Sequence, residues 1–269
     1  MDNDTASIYI DTYQKYYFES ENEHFSYNSA EKVNALGAGN RVSPVDWYSE
    51  QYIYENKLLE GRFDELAFAW KSGKFRIVNN QIRRELFETT DGHGNPAYRS
   101  IHRNISIVEF DTYMANTISR LIEEERFNNI RIGDNAINNY EMLSELYDLT
   151  RTNSPNYFGP VYVITVMYCL SRGALPIFDS KAFTAIKALF YDVSPYHIYV
   201  ENSNPGKNDT LQVINKYYEY INLLKIVFPD MIYYEGSEEF ISRDLDRALW
   251  VYGHARRDAN DIPIKFHTN

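Results

Sequence analysis

Asp179 stands directly behind Pro176-Ile177-Phe178 and opens the run Ser180-Lys181-Ala182, in the least polar part of a chain otherwise rich in charge and hydroxyls. A carboxylate there has two compatible uses. As a helix N-cap it accepts from the first free amides of the helix. As a working group it places a charge at the mouth of a cleft, at a helix end whose dipole favours an anion. One oxygen suffices to cap, which leaves the other for a substrate. Upstream, Asn156-Tyr157-Phe158-Gly159-Pro160 is a tight turn before the apolar run 161–170. A glycine turn feeding a helix N-terminus aims backbone N–H groups outward, and phosphate is their usual guest. Pro160 supplies no N–H, and the same turn also reads as a plain helix–helix corner. Downstream, Asp246 and Trp250 lie at i and i+4 and so share a helical face. On the residues alone, Trp250 reads as core and Asp246 as a partner of Arg243 or Arg247.

Other chemistries find little support. His93 and His102 flank a loop with no carboxylate at a metal-ligand spacing, so no metal site is expected. Glu123-Glu124-Glu125 reads as a solvated helix face. A Gly-x-Ser-x-Gly elbow, a P-loop and a dinucleotide fingerprint are all missing, so no cofactor is expected. Cys169 is the only cysteine, which excludes an intrachain disulfide or a cysteine cage. The net charge of -11 argues against a general nucleic-acid coat protein. The stretch 151–190 is nevertheless locally basic, with Arg151, Arg172, Lys181 and Lys187 against Asp179 alone. The longest apolar run is too short to cross a bilayer, and the acidic, polar start lacks the basic and apolar regions of a secretory signal. A cytoplasmic protein with no membrane partner is the expectation.

The elements that must position these residues read as helices. Residues 1–42 mix Tyr, Asn, Glu and Ser and read as a loosely packed N-terminal arm that docks with its tyrosines, with room for one short helix. Ser43-Pro44 starts a helix carrying Trp47, Tyr48, Tyr52, Tyr54, Leu58 and Leu59, which Gly61 ends. A short helix over 63–71 stops at Ser72-Gly73. Residues 76–88 are a short helix or an extended connector, and 91–96 are a turn. A long helix over 107–127 has Val108, Phe110, Tyr113, Met114, Ile118, Leu121 and Ile122 as its apolar face. Asp134 caps a helix over 135–149, with Ile137, Tyr140, Leu143, Leu146 and Tyr147 inward. Further helices cover 161–170, 182–189, 211–228 and, capped by Ser237, 238–256. With no convincing period-2 strand, the fold class is all-α: an arm, 1–42, and a helical domain, 43–269.

A glycine hairpin, an apolar helix, a short apolar loop and then Pro-x-x-Asp opening another helix resembles the helix-hairpin-helix DNA glycosylase superfamily. The separation of Gly159 from Asp179 matches that family's pattern. In detail the chain looks most like bacterial proteins with the 8-oxoguanine-glycosylase type of fold. The segments Leu66-Ala67-Phe68-Ala69-Trp70-Lys71-Ser72-Gly73 and Asp246-Arg247-Ala248-Leu249-Trp250-Val251-Tyr252-Gly253 are similar to that group's recurring stretches. The resemblance implies a two-lobed helical domain with the helix-hairpin-helix near 145–190. The family hairpin reads Gly-x-Gly, whereas here Tyr157 replaces the first glycine. Bifunctional members carry a nucleophilic lysine two residues after the second glycine, where this chain has Val161. Without that amine there is no Schiff base and no amine-driven strand cleavage.

The resemblance therefore implies a monofunctional DNA glycosylase acting on double-stranded DNA with a flipped base. Tyr157, Phe158, Gly159 and Val161 would hold the DNA backbone. Asp179 would be catalytic, and Asp246 and Trp250 would form the base pocket, the carboxylate accepting from a cytosine-type amine and the indole stacking on the base. It further implies a specialised substrate such as a modified cytosine of phage DNA, and so a role in antiphage defence. The acidic charge and the altered hairpin point to the other reading: a non-catalytic helical module of the same fold that binds nucleic acid or a partner protein.

Overall fold

The computed structural model describes residues 1–19, 22–36, 46–101, 103–128, 130, 140–198, 210–229 and 243–254. Within them the chain is largely helical, in two compact units. The first comprises Met1–Ser43, Phe178–Gly206 and Asn215–Asn269; the second comprises Pro44–Ile177 and Lys207–Ile214. The division falls between Ile177 and Phe178, one residue before Asp179.

In the second unit, α3 (Trp47–Ile53) runs into a π-helical turn, Tyr54–Leu58, and α4 (Glu65–Lys71) follows. Asp64 starts α4 by accepting from the amides of Leu66 and Ala67. Gly73, at a φ of +67°, then turns the chain away in the left-handed region that glycine enters freely. Residues 76–106 correct the all-helical expectation. Ile77–Val78 (β1) pairs antiparallel with Gln81–Ile82 (β2). Glu88–Thr90 (β3), Pro96–Tyr98 (β4) and Ile105–Ser106 (β5) form a second antiparallel sheet, registered Glu88 to Tyr98 and Tyr98 to Ile105. Strands of two or three residues are too short to show a period of two.

The expected long helix over 107–127 is broken in its phase rather than its course. It comprises α5 (Ile107–Tyr113), a π-helical turn Met114–Ile118, and α6 (Ser119–Glu123). The wider turn changes which residues face inward. Phe110, Tyr113, Ile118 and Leu121 are buried, but Val108 and Ile122, expected on the apolar face, are exposed. Next, α7 (Tyr140–Arg151) buries Leu143, Leu146 and Tyr147 and packs on α8 (Pro160–Leu170). Every residue of 162–170 is buried, so α8 is the central helix of its unit. The expected features at Ser43-Pro44, Asp134 to Ile137, His102 and Ser237 lie outside the described residues.

The first unit is built on aromatic rings. Residues 1–19 are not a loose arm. α1 (Asn3–Tyr13) buries Tyr9 and Tyr13, the 3-10 turn Gln14–Tyr17 continues it, and α2 (Ser29–Leu36) follows. Lys32 of α2 is buried and donates to the Tyr27 hydroxyl and the Glu19 carbonyl. The unit also holds α9 (Ser180–Phe190), most of α10 (Thr210–Val227) and α11 (Arg243–Tyr252). α11 packs on α9, on α1 and on the 3-10 turn. Tyr252 of α11 packs edge-on to Tyr9 and tilted against Tyr13, while Tyr220 of α10 packs tilted against Phe178 and edge-on to Phe183.

Candidate active site

Asp179 is the N-cap of α9. Its Oδ1 accepts from the amides of Lys181, at 2.7 Å, and Ala182, at 2.9 Å. Oδ2 takes no hydrogen bond or ion pair among the described residues, and the side chain is only half-buried. Capping therefore occupies one oxygen and leaves the second available. The cap is held in place from behind: Gly253, just past α11, lies so close to the Lys181 carbonyl that a Cβ there would stand 2.0 Å from its oxygen. Only glycine allows that approach.

Around this cap are groups that the sequence pattern did not single out. Tyr220 is 1 % exposed, packed against the Phe178 and Phe183 rings, and it feels both the Asp179 carboxylate and the Arg243 guanidinium. Burial first, and then the Asp179 charge, hold its phenol well above the usual tyrosine range. It is a neutral wall beside the carboxylate. Arg243 in turn pairs with Asp246 Oδ2 and donates from Nη2 to the Tyr17 hydroxyl at 2.9 Å. Its guanidinium lies 5.1 Å from the centre of the Tyr17 ring.

Of the two arginines weighed as partners of Asp246, Arg243 takes the carboxylate. Arg247 donates to Asp244 Oδ1 at 2.5 Å and lies over the Phe18 ring. Asp246 is 7 % exposed, and its Oδ1 has no hydrogen-bond partner among the described residues. Of the two readings of this residue, the ion pair with Arg243 is the one seen, and it occupies only Oδ2. Trp250 is half-buried, with its ring edge-on to Tyr17 at 5.3 Å and 4.0 Å from the His254 ring. Arg243, three residues before Asp246, was legible as a same-face neighbour. Nothing in the sequence pointed to Tyr17, from the opposite end of the chain.

The hairpin belongs to the second unit. Tyr157 has a φ of +69°, so the residue that replaces glycine keeps a glycine-like backbone. Its ring is exposed, and the Arg103 guanidinium lies over it at 4.3 Å. Phe158 is buried among Phe63, Phe68, Tyr113 and Tyr162. Its amide donates to the Pro155 carbonyl. The Tyr162 amide bonds the Gly159 carbonyl, and Pro160 has no N–H. Phe158 is thus an anchor whose amide is already used, and in the first turn of α8 the Val161 amide is left over. Asn156 is pinned by Glu109, donating from Nδ2 at 2.8 Å and from its amide at 3.2 Å. Gly159 has ordinary φ, and a Cβ on it would meet no atom within 4 Å.

Of the residues picked out from sequence, Asp179, Asp246 and Trp250 therefore lie in one unit, and Tyr157, Phe158, Gly159 and Val161 in the other. Among the described residues no group of three His, Cys, Asp or Glu side chains is placed to hold a metal ion, and no helix is long and apolar enough to cross a membrane. Comparison with protein-family models, with curated proteins and with solved structures returns no match.

Proposed function

We propose that the chain is a monofunctional DNA glycosylase of helix-hairpin-helix type, which hydrolyses the N-glycosidic bond of a modified base and leaves an abasic site. The observation that carries this reading is the half-used Asp179 carboxylate: Oδ1 is fixed by two amides while Oδ2 is unclaimed. A carboxylate held rigidly by a helix start, with one oxygen spare, suits a sugar that gains positive charge as its bond to the base breaks. The bonding electrons leave with the base. Asp179 stabilises the oxocarbenium-like C1′ and orients the water that attacks it, and the water's proton passes to the carboxylate. Asp246 Oδ1 and the half-buried Trp250 read the extruded base. The substrate class proposed is a modified cytosine of phage DNA, whose exocyclic amine suits an acceptor such as Asp246 Oδ1.

The test is an abasic-site assay on DNAs of differing modification, phage DNA with modified cytosine among them, comparing wild type with Asp179→Asn. Asparagine also caps helices well, so the variant keeps the start of α9. We expect abasic product from wild type and a loss of about a hundredfold or more in Asp179→Asn. The other reading, a non-catalytic module that binds nucleic acid or a partner protein, is supported by the net charge of -11 and by Tyr157 in place of the hairpin glycine. It predicts salt-dependent DNA binding with no abasic product.

A further inference from the structure

Two loops of the second unit are tied down so that an arginine and a tyrosine meet on its surface. In the first loop, the Ser100 hydroxyl bonds the Arg103 carbonyl and accepts from the Arg103 amide at 3.1 Å. The Ile101 amide donates to the buried Tyr162 hydroxyl at 3.3 Å, and Asn104 Nδ2 donates to the Thr90 carbonyl at 3.1 Å. In the second loop, Tyr157 stands between Asn156, which both oxygens of the Glu109 carboxylate hold, and the buried Phe158. The Arg103 guanidinium thereby lies 4.3 Å from the centre of the Tyr157 ring. Neither side chain is spent on the fold. Arg103 is exposed and makes no ion pair among the described residues, whereas Arg76, Arg83 and Arg84 of the same unit each meet a carboxylate. Tyr157 is 61 % exposed and is the one aromatic residue at positive φ among those described. A ring there carries a backbone cost that glycine avoids, and in water it recovers little of that cost by burial. Such an outlier points to function rather than packing.

We propose that Tyr157 and Arg103 form a stacking platform for an unpaired base of a DNA strand, the base lying on the Tyr157 ring and the Arg103 guanidinium bonding the adjoining phosphate. This rests on the DNA reading given above. The ligand class is a single-stranded or locally opened strand, taken without regard to sequence, because every base offers a π-face to an aromatic ring. Arg103 covers one face of the ring and leaves the other for the base. A guanidinium is planar and always charged, and it presents N–H groups in a fork that fits a phosphate. The Glu109 carboxylate does not compete for it, being occupied by Asn156. Side chains thus do here what the hairpin amides do only in part, since the Phe158 amide is already bonded and Pro160 has none. Tyr162 acts as a positioning residue: its hydroxyl holds the loop that carries Arg103.

The test measures binding of the full Asp179→Asn chain, which leaves bases attached, to two labelled single strands of equal length. One is built of thymidine nucleotides and the other of abasic sugar-phosphates carrying the same charge. We expect the thymidine strand to bind about tenfold tighter. Adding Tyr157→Gly, which suits the positive φ and so keeps the melting temperature, should erase that preference, while Tyr157→Phe should retain it. Arg103→Gln should weaken both strands and lower the slope of log affinity against log salt by about 0.7. Equal binding of the two strands, a preference that survives Tyr157→Gly or is lost in Tyr157→Phe, or an unchanged salt slope in Arg103→Gln would each overturn the platform. Abasic release by the wild type would still support the glycosylase reading in those cases. Binding to neither strand would overturn the platform and leave this surface to a protein partner; joined to an absence of abasic product, it would overturn the glycosylase reading as well.

Discussion

The hairpin and the α9–α11 platform are both built from a helix start, an aromatic neighbour and an arginine, yet they spend their polar groups differently. At the hairpin nearly everything is committed. The Phe158 amide is bonded, the Tyr162 amide is bonded, Pro160 has no N–H to give, and Asn156 is tied to Glu109. On and beside the platform four oxygens are left over among the described residues: Asp179 Oδ2, Asp246 Oδ1, Gln14 Oε1 and the Tyr13 hydroxyl. Buried or half-buried oxygens without a partner are a cost that folding alone has no reason to keep. The difference sets the proposed chemistry on the platform and leaves the hairpin mainly a packed corner with one exposed tyrosine at positive φ.

The sharpest way to break the platform without touching its polar groups is Gly253→Ala. A Cβ 2.0 Å from the Lys181 carbonyl oxygen forces α11 away from the start of α9. We expect it to cost about 3 kcal/mol in denaturant unfolding. A variant of near wild-type stability would mean that α11 does not brace the Asp179 cap.

The aromatic packing of the platform sharpens the same contrast through pH. Burial above all holds the Tyr9, Tyr217 and Tyr220 phenols well above the usual range of about 10. The folded state keeps these protons where the unfolded chain releases them. Their contribution is therefore fully present below pH ~10 and is lost as pH rises beyond it. Tyr220→Phe should make the fall in stability above that point shallower by about 1.4 kcal/mol per pH unit. An unchanged slope, measured by denaturant unfolding across the alkaline range, would show that Tyr220 is not the neutral wall described.

The smallest effect is expected at the hairpin. Tyr157 sits at a φ of +69°, where a side chain costs about 1 kcal/mol or more relative to glycine. Tyr157→Gly should therefore be about 1 kcal/mol more stable than Tyr157→Ala, since both lose the Arg103 stack and only glycine escapes the strain. Equal stabilities would place the strain elsewhere in the turn.

How much of this was legible in the sequence follows from the range of each interaction. The caps were readable because they are local: Asp179 bonds residues two and three ahead, as an N-cap must. The helices over 140–151 and 160–170 were readable from periodicity and continuous apolar sequence. The five strands were not, being two or three residues long. Ile122 lies beyond a π-helical turn that shifts the helical phase, and nothing in residue types announces such a turn, whereas Val108 precedes the turn and stands about 200° around the helix from the buried Phe110. Asp246 and Trp250 could be set on one face by spacing, but Tyr17 is 226 residues from Arg243 and no local pattern links them. For the same reason residues 1–17 looked like a loose arm and are instead a wall of the platform.

The account stands or falls on Asp179. Abasic-site release should be measured for wild type and Asp179→Asn on the same panel of modified DNAs, with the stability of both proteins determined alongside. The account predicts abasic product from wild type, a loss of about a hundredfold or more in Asp179→Asn, and nearly equal stabilities, because asparagine preserves the cap. Full activity in Asp179→Asn would contradict it, as would wild-type protein that binds these DNAs and releases no base from any of them.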